Sequence, residues 1–186
     1  MAKTETEQKH EEQRSPDWPE FRDKFIAAFP KCTVCGKGKG DNVGLQAHHI
    51  FPFHYCILLG RPDLELDYRN LITLCETEAG RPSEDHHLLI GHFDDFESSN
   101  LNVERDARVT WSNKTAAQIR NDPLWKQQSA PGARLPHIAQ MTGLDKAFFE
   151  WAMNTRYPKA NVDAGEKPAG QAPGWLLADL MPKPQF

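Results

Sequence analysis

The sequence predicts an α+β fold assembled around bound metal, and three observations predict it. Short β-type runs at Leu45–Phe51 and Leu71–Leu74 lie among segments whose apolar residues recur at helical spacing. The four cysteines stand at positions 32, 35, 56 and 75. Six of the eight histidines fall between His48 and His92, in the same stretch. Thiolates crowded together with imidazoles favour zinc over harder ions.

Taken in order, residues 1–15 are charged and lack apolar periodicity, which predicts a disordered tail. A helix is expected to start at Ser15-Pro16-Asp17, with Phe21, Phe25, Ile26 and Phe29 on one stripe and Pro30 as its stop. Residues 31–44 hold the Cys32-Thr33-Val34-Cys35 pair and a glycine-rich turn. The first strand stops at Pro52, and residues 53–69 read as a loop with apolar anchors at Ile57, Leu58, Leu59, Leu64 and Leu66. The second strand leads into Cys75, and residues 76–84 have turn composition. A short helix then starts near Asp85 and carries His86, His87, Leu88 and Leu89. The run His92-Phe93-Asp94-Asp95-Phe96 is expected to pack that helix back on the strands. Ala116–Arg120 and Pro136–Trp151 read as helical. From Pro158 the chain is rich in proline and glycine until Trp175-Leu176-Leu177, which is expected to dock on the body. The domain reading is a tail (1–15), a main domain (16–120) and a helical, Pro/Gly-rich extension packing on it (121–186).

At 186 residues one core is the comfortable solution. No apolar run approaches the roughly 20 residues that cross a bilayer, and the polar opening does not read as a secretory signal. A cytoplasmic protein without a membrane partner is therefore expected. In that reducing compartment cysteines are read as metal ligands before disulfides. The net charge of −4 argues against indiscriminate nucleic-acid binding, which needs a strong positive field. A bound divalent cation offsets this where a phosphate sits, and Lys31, Lys37 and Lys39 form a local basic patch. Arg105, Arg108 and Lys114 can meet phosphates, although solvated surface is the commoner role for such residues.

Cys32 and Cys35 supply two thiolates from one tight turn, and Cys75 supplies a third. His86 is the nearest suitable fourth ligand of a tetrahedral zinc, with His87 and Glu78 as competitors. The free energy of such a site is folding free energy. Cys56, amid Tyr55, Ile57 and Leu58, reads as a core residue. A redox role for the C-x-x-C pair is disfavoured by the third cysteine and by the lack of a βαβ pattern.

His48 and His49 occupy consecutive strand positions and so point to opposite faces. A twisted strand end lets one bind a metal while the other approaches a nucleophilic water. Asn70 can bond backbone near His49 and hold its imidazole, and His87 can point back to complete the metal site. Phosphodiester hydrolysis asks for these roles: a base for water, and a cation that stabilises the transition state.

The pattern resembles the HNH endonuclease family in its zinc-knuckle form. That form reads C-x-x-C, then HHI followed by a proline, then N-L-I-T-L-C, then a histidine in a short helix. Here these are Cys32–Cys35, His48-His49-Ile50-Phe51-Pro52, Asn70–Cys75 and His86-His87, over roughly residues 30–110. The resemblance implies a ββα-metal (His-Me) finger with a structural zinc knuckle and flanking helices, and an endonuclease that hydrolyses DNA. It implies that His48 and His87 hold a catalytic divalent ion, Mg2+ or Mn2+ first, with nickel or zinc as alternatives. His49 is then the general base and Asn70 its orienting residue, while Cys32, Cys35, Cys75 and His86 hold structural Zn2+. His92 is a candidate third ligand or a phosphate contact. Its spacing of five from His87 requires a distorted turn, because an α-helix brings i and i+4 together. In one departure, the family has a cysteine where this chain has His86. The competing function is a zinc-stabilised nucleic-acid- or protein-binding module without catalysis, which has no need of the His48, His49, Asn70 and His87 set.

Overall fold

The structure is a computed structural model and describes residues 14–41, 43–76, 85–130 and 143–158. Among them it is a mixed helix-and-strand fold built on one antiparallel pair, β1 (Gly44–His49) and β2 (Leu71–Glu76). The register runs from Gly44 opposite Glu76 to His49 opposite Leu71. β1 ends two residues sooner than Leu45–Phe51. Ile50 N–H still reaches the Asn70 carbonyl at 2.9 Å, but Phe51 N–H turns to the Asn70 side-chain oxygen at 2.8 Å. A side chain has replaced the next rung of the ladder, and the strand peels away.

Helix α1 (Trp18–Ala28) covers one face of the pair. Phe25 is buried with Ala47 and Leu71, and Trp18, Phe21, Ile26, Phe29 and Tyr68 pack around them. On the other face Ile72 and Leu74 join Leu89, Ile90, Val103, Ala107, Trp111 and Ile119 in the main core. Between α1 and β1 the chain makes a knuckle. Cys32 N–H bonds the Lys37 carbonyl and Gly36 N–H the Cys32 carbonyl, both at 2.8 Å. Gly36 has φ +70°, which an L side chain resists. Thr33 N–H to the Thr73 carbonyl, at 2.9 Å, stitches the knuckle to β2.

The expected loop over 53–69 is instead largely helical. Helix α2 (Phe53–Leu58) is followed by tight 3-10 turns at Pro62–Leu66 and Tyr68–Asn70. The helix has six residues, too few for a periodic signature. Its stability comes from burying Tyr55 and Cys56 against Phe51, Leu64, Phe149 and Met153. Cys56 is fully buried in the core, and burial pushes its thiol up to about 12.

Downstream of β2 the chain makes a π-helical turn (His87–Gly91), a short helix α3 (Val103–Arg105) and a second π turn (Asp106–Thr110). Helix α4 (Ala116–Asn121) carries a complete capping box between Thr115 and Gln118, and α5 (Pro123–Gln128) is capped by Asp122. Helix α6 (Gly143–Arg156) returns to the body. Buried Arg61 pins it, donating to Asn154 Oδ1 at 2.7 Å and the Tyr157 carbonyl at 2.8 Å. Of the expected tail, Arg14 and Ser15 lie within the described residues and are tied down rather than loose: Ser15 N–H bonds Glu65 Oε2 at 2.9 Å, and Arg14 pairs with Oε1 at 3.3 Å. Glu78, residues 136–142 and Trp175-Leu176-Leu177 lie outside the described residues. No described helix is long and apolar enough to cross a membrane.

Candidate metal centres

Two ligand clusters flank the strand pair. In the first, Cys32, Cys35, Cys75 and His86 each bring one ligand atom within 4.8 Å of the others, an arrangement that can hold a metal such as zinc. Thiolates at about 2.3 Å from a tetrahedral zinc stand about 3.8 Å apart. The observed Cys35 Sγ to Cys75 Sγ separation is 3.9 Å, and Cys32 Sγ to His86 Nδ1 is 3.8 Å. Cys75 Sγ lies 3.1 Å from the same nitrogen. No disulfide joins the thiols. The facing sulfurs of Cys32 and Cys75 hold the Cys35 thiol far below its ordinary range. Burial works against a charge on His86, but contacts with Cys32 and Cys35 outweigh it and push the imidazole up to about 9. Cys35 is thus biased to thiolate and His86 to imidazolium, whereas the contacts with Cys32 and Cys35 push the Cys75 thiol up, a crowding of like charge that a bound cation would relieve.

The second cluster is His48, His87 and His92. Their ring centroids form a nearly equilateral triangle of 5.0, 5.0 and 5.2 Å with rings close to perpendicular. The distorted turn that His92 requires is the π-helical segment His87–Gly91. A π turn carries one extra residue, so positions five apart fall on one face. His48 reaches the cluster from β1 across Gly91, where a Cβ would stand 2.8 Å from the His48 ring carbon Cε1. His92 Nδ1 lies 2.7 Å from the Ser98 carbonyl. A carbonyl only accepts, so Nδ1 carries the proton and Nε2 keeps a lone pair for a ligand role. Burial lowers His92 to about 4, helped by the charge of His87. Burial, and then the charges of His92 and His87, hold His48 well below its usual value. All these effects keep imidazole neutral, the form that ligates. His48 Nε2 and His87 Nδ1 are buried without a hydrogen-bond partner among the described residues, which fits a site that completes their coordination with an ion.

His49 points to the opposite face, as strand alternation requires. It stacks on Trp18 with ring centroids 4.6 Å apart and lies 6.3 Å from Phe53. Its Nε2 faces the Glu65 carbonyl at 3.1 Å, so Nδ1 is the basic nitrogen. Burial, and next the Arg14 charge, lower its pKa to about 3. Asn70 does not bond this imidazole. Its amide donates to the Phe51 and Leu64 carbonyls, both at 3.1 Å, and accepts from Phe51 N–H. Asn70 therefore ties the backbone just after His49 to the stretch that carries Glu65, whose carbonyl makes the direct contact. The expected backbone bonding by Asn70 near His49 is present at Phe51, and the direct partner of the ring is the Glu65 carbonyl.

Glu76 was not singled out from sequence. Its Oε1 lies 3.8 Å from His87 Nδ1, and its other oxygen accepts from Gln46. His87 is the first cause holding its carboxyl below the ordinary range. Two of the three expected phosphate contacts are paired within the protein: Arg108 with Glu104 at 3.2 Å and Lys114 with Asp122 at 2.8 Å. No family model, curated protein or solved structure matches this chain.

Proposed function

We propose that the protein is a metal-dependent endonuclease of the HNH type that hydrolyses DNA phosphodiester bonds, with β1, β2 and the His87–Gly91 turn as its ββα-metal finger. One observation carries the reading. Three imidazoles from β1 and the π turn converge on one point, and a fourth histidine stands on the adjacent strand position with its proton fixed by a backbone carbonyl. A zinc-binding module has use for the cysteine cluster but none for this second set.

His48, His87 and His92 would hold the ion, and a divalent cation there supplies Lewis-acid stabilisation of the developing phosphorane charge. Imidazole donors suit zinc, nickel, cobalt and iron better than magnesium. The donor set therefore moves the preferred ion away from Mg2+ and towards these transition metals. His49 Nδ1 is the group that takes the proton from water. The Glu65 carbonyl and the Trp18 ring keep its imidazole in one tautomer and one orientation, and Asn70 secures the two backbone stretches that carry His49 and Glu65. Cys32, Cys35, Cys75 and His86 would hold a structural zinc that fixes the knuckle to the end of β2.

The test is cleavage of supercoiled plasmid by purified protein across Mg2+, Mn2+, Co2+, Ni2+ and Zn2+. His49→Ala should lower turnover by roughly 10² to 10⁴, the usual weight of a general base, while zinc content and melting temperature stay near wild type. Near-normal cleavage by this variant removes His49 from the mechanism.

A further inference from the structure

The loop after the π turn sends its two phenylalanines in opposite directions. Phe93 is buried, consistent with the expectation that this aromatic run packs inward, whereas Phe96 is 59% exposed. The Phe96 ring stands at the rim of the three-histidine cluster, its centroid 5.1 Å from His92 and 6.0 Å from His87. Its exposure is not slack in the chain. Phe93 and Asp94 both adopt left-handed backbone, at φ 52° and 60°, a conformation that persists only where its surroundings enforce it. The enforcing contacts are visible. Asp94 receives two bonds of 2.8 Å from Arg120 on α4. Asp94 N–H bonds the Leu88 carbonyl at 3.0 Å. Asp95 accepts from Glu97 N–H at 3.0 Å and from the Ser98 hydroxyl at 3.3 Å.

We propose that Phe96 is a platform on which an unpaired nucleobase stacks while the neighbouring phosphodiester lies at His48, His87 and His92. The inference rests on the nuclease reading above and narrows its substrate to DNA with unpaired bases. Charge decides between base and backbone as the contact at this rim. Asp95 and Glu97 flank Phe96 in a chain of net charge −4, and a duplex presents its phosphates outermost, where these acids repel them. A base offers an uncharged π face, and stacking on an aromatic ring tolerates any sequence. In a duplex both faces of a base are already stacked, so it must leave the helix before it can lie on Phe96. A single-stranded region offers that face without this cost.

The experiment uses the full chain, a single-stranded oligonucleotide containing 2-aminopurine, its duplex form, and bis(p-nitrophenyl) phosphate, a diester without a base. Wild type should favour the single strand over the duplex in kcat/KM. Phe96→Ala should lose about tenfold more on the single strand than on the small diester, mostly through KM, as expected for one stacked base, and Phe96→Tyr should recover it. In the His49→Ala background, 2-aminopurine emission should be quenched on binding, and adding Phe96→Ala should abolish the quench. Equal losses on strand and diester, accompanied by weaker uptake of Co2+, would make Phe96 a shield for the cluster and overturn the platform while the nuclease reading stands. A preference for duplex overturns it equally. If wild type hydrolyses none of the three substrates with any of the five ions, the nuclease reading falls, and the quench still decides whether a base sits on Phe96.

Discussion

The two ligand clusters are built from neighbouring residues yet differ in kind. β2 ends with Cys75 in one cluster and Glu76 against the other, and the turn that follows opens with His86 in one and His87 in the other. The cysteine cluster is closed: it has four ligands, and Cys32, Cys75 and His86 are each 2% exposed or less. The histidine cluster has three ligands, with His87 and His92 only half-buried and Phe96 standing at its edge. A closed tetrahedral set stabilises a fold, whereas a set with room for another ligand can act on one. A single register, one strand end facing one helical turn, thus supplies both clusters because adjacent side chains diverge.

The largest effect expected is at the closed cluster. Cys75→Ser should abolish stoichiometric zinc after exhaustive dialysis and remove the cooperative unfolding transition, because binding energy there is folding energy. Retained zinc in this variant would break the comparison outright. The paired variants His86→Ala and His87→Ala come next. His86→Ala should behave like the cysteine variant. His87→Ala should stay folded with its zinc and require far more added Co2+ or Ni2+ to bind at the second cluster, read by calorimetry. Swapped phenotypes would mean that the turn presents the opposite residues to the two clusters.

Much of this division is legible in the sequence, because ligand chemistry restricts residue type. Cys32, Cys35, Cys75 and the His86-His87 pair declare themselves by identity, and side chains about 100° apart on a helical turn must part company. The i+5 relation of His87 and His92 flags a distorted turn, but π geometry has no residue signature and only the fold supplies it. The partner of His49 is a main-chain carbonyl of Glu65, which any residue would provide, so no sequence pattern can point to it. Helix α2 is too short for periodicity and is held by contacts with residues nearly a hundred positions away, such as Phe149. The outward turn of Phe96 depends on left-handed backbone at Phe93 and Asp94, neither of which is glycine.

A smaller perturbation confined to the open cluster sharpens the contrast. At Gly91 an added Cβ would meet the His48 ring at 2.8 to 3.2 Å from three of its atoms. A ring cannot yield as the tip of a flexible chain does. Gly91→Ala should therefore cost about 1–3 kcal/mol of stability, typical of overpacking, and weaken Co2+ binding at the histidines while zinc at the cysteines remains. Unchanged Co2+ affinity would mean that His48 is not held by this contact.

The smallest effect concerns a carboxylate that braces the open cluster from behind. Asn100 N–H bonds the Gly91 carbonyl at 3.0 Å. Its side-chain amide donates to the Ile90 carbonyl and to Asp106 Oδ2, both at 2.9 Å. Burial pushes Asp106 up to about 6, against the hydrogen bonds from Asn100 and Thr110 and the charge of Arg105. A pKa raised above the unfolded value means that the folded state binds the proton more tightly. The contribution is therefore complete below the unfolded value and is lost as pH rises through about 6. The full difference is roughly 3 kcal/mol, of which about 1 kcal/mol falls between pH 5 and pH 7. Buried histidines titrate in the same window with the opposite sign, so the informative quantity is the difference between wild type and Asp106→Asn. Denaturant unfolding should show the stability of Asp106→Asn relative to wild type growing by about 1 kcal/mol across that window and levelling off above it. Parallel curves would show that Asp106 keeps its ordinary pKa, and that the brace behind the open cluster does not depend on its proton.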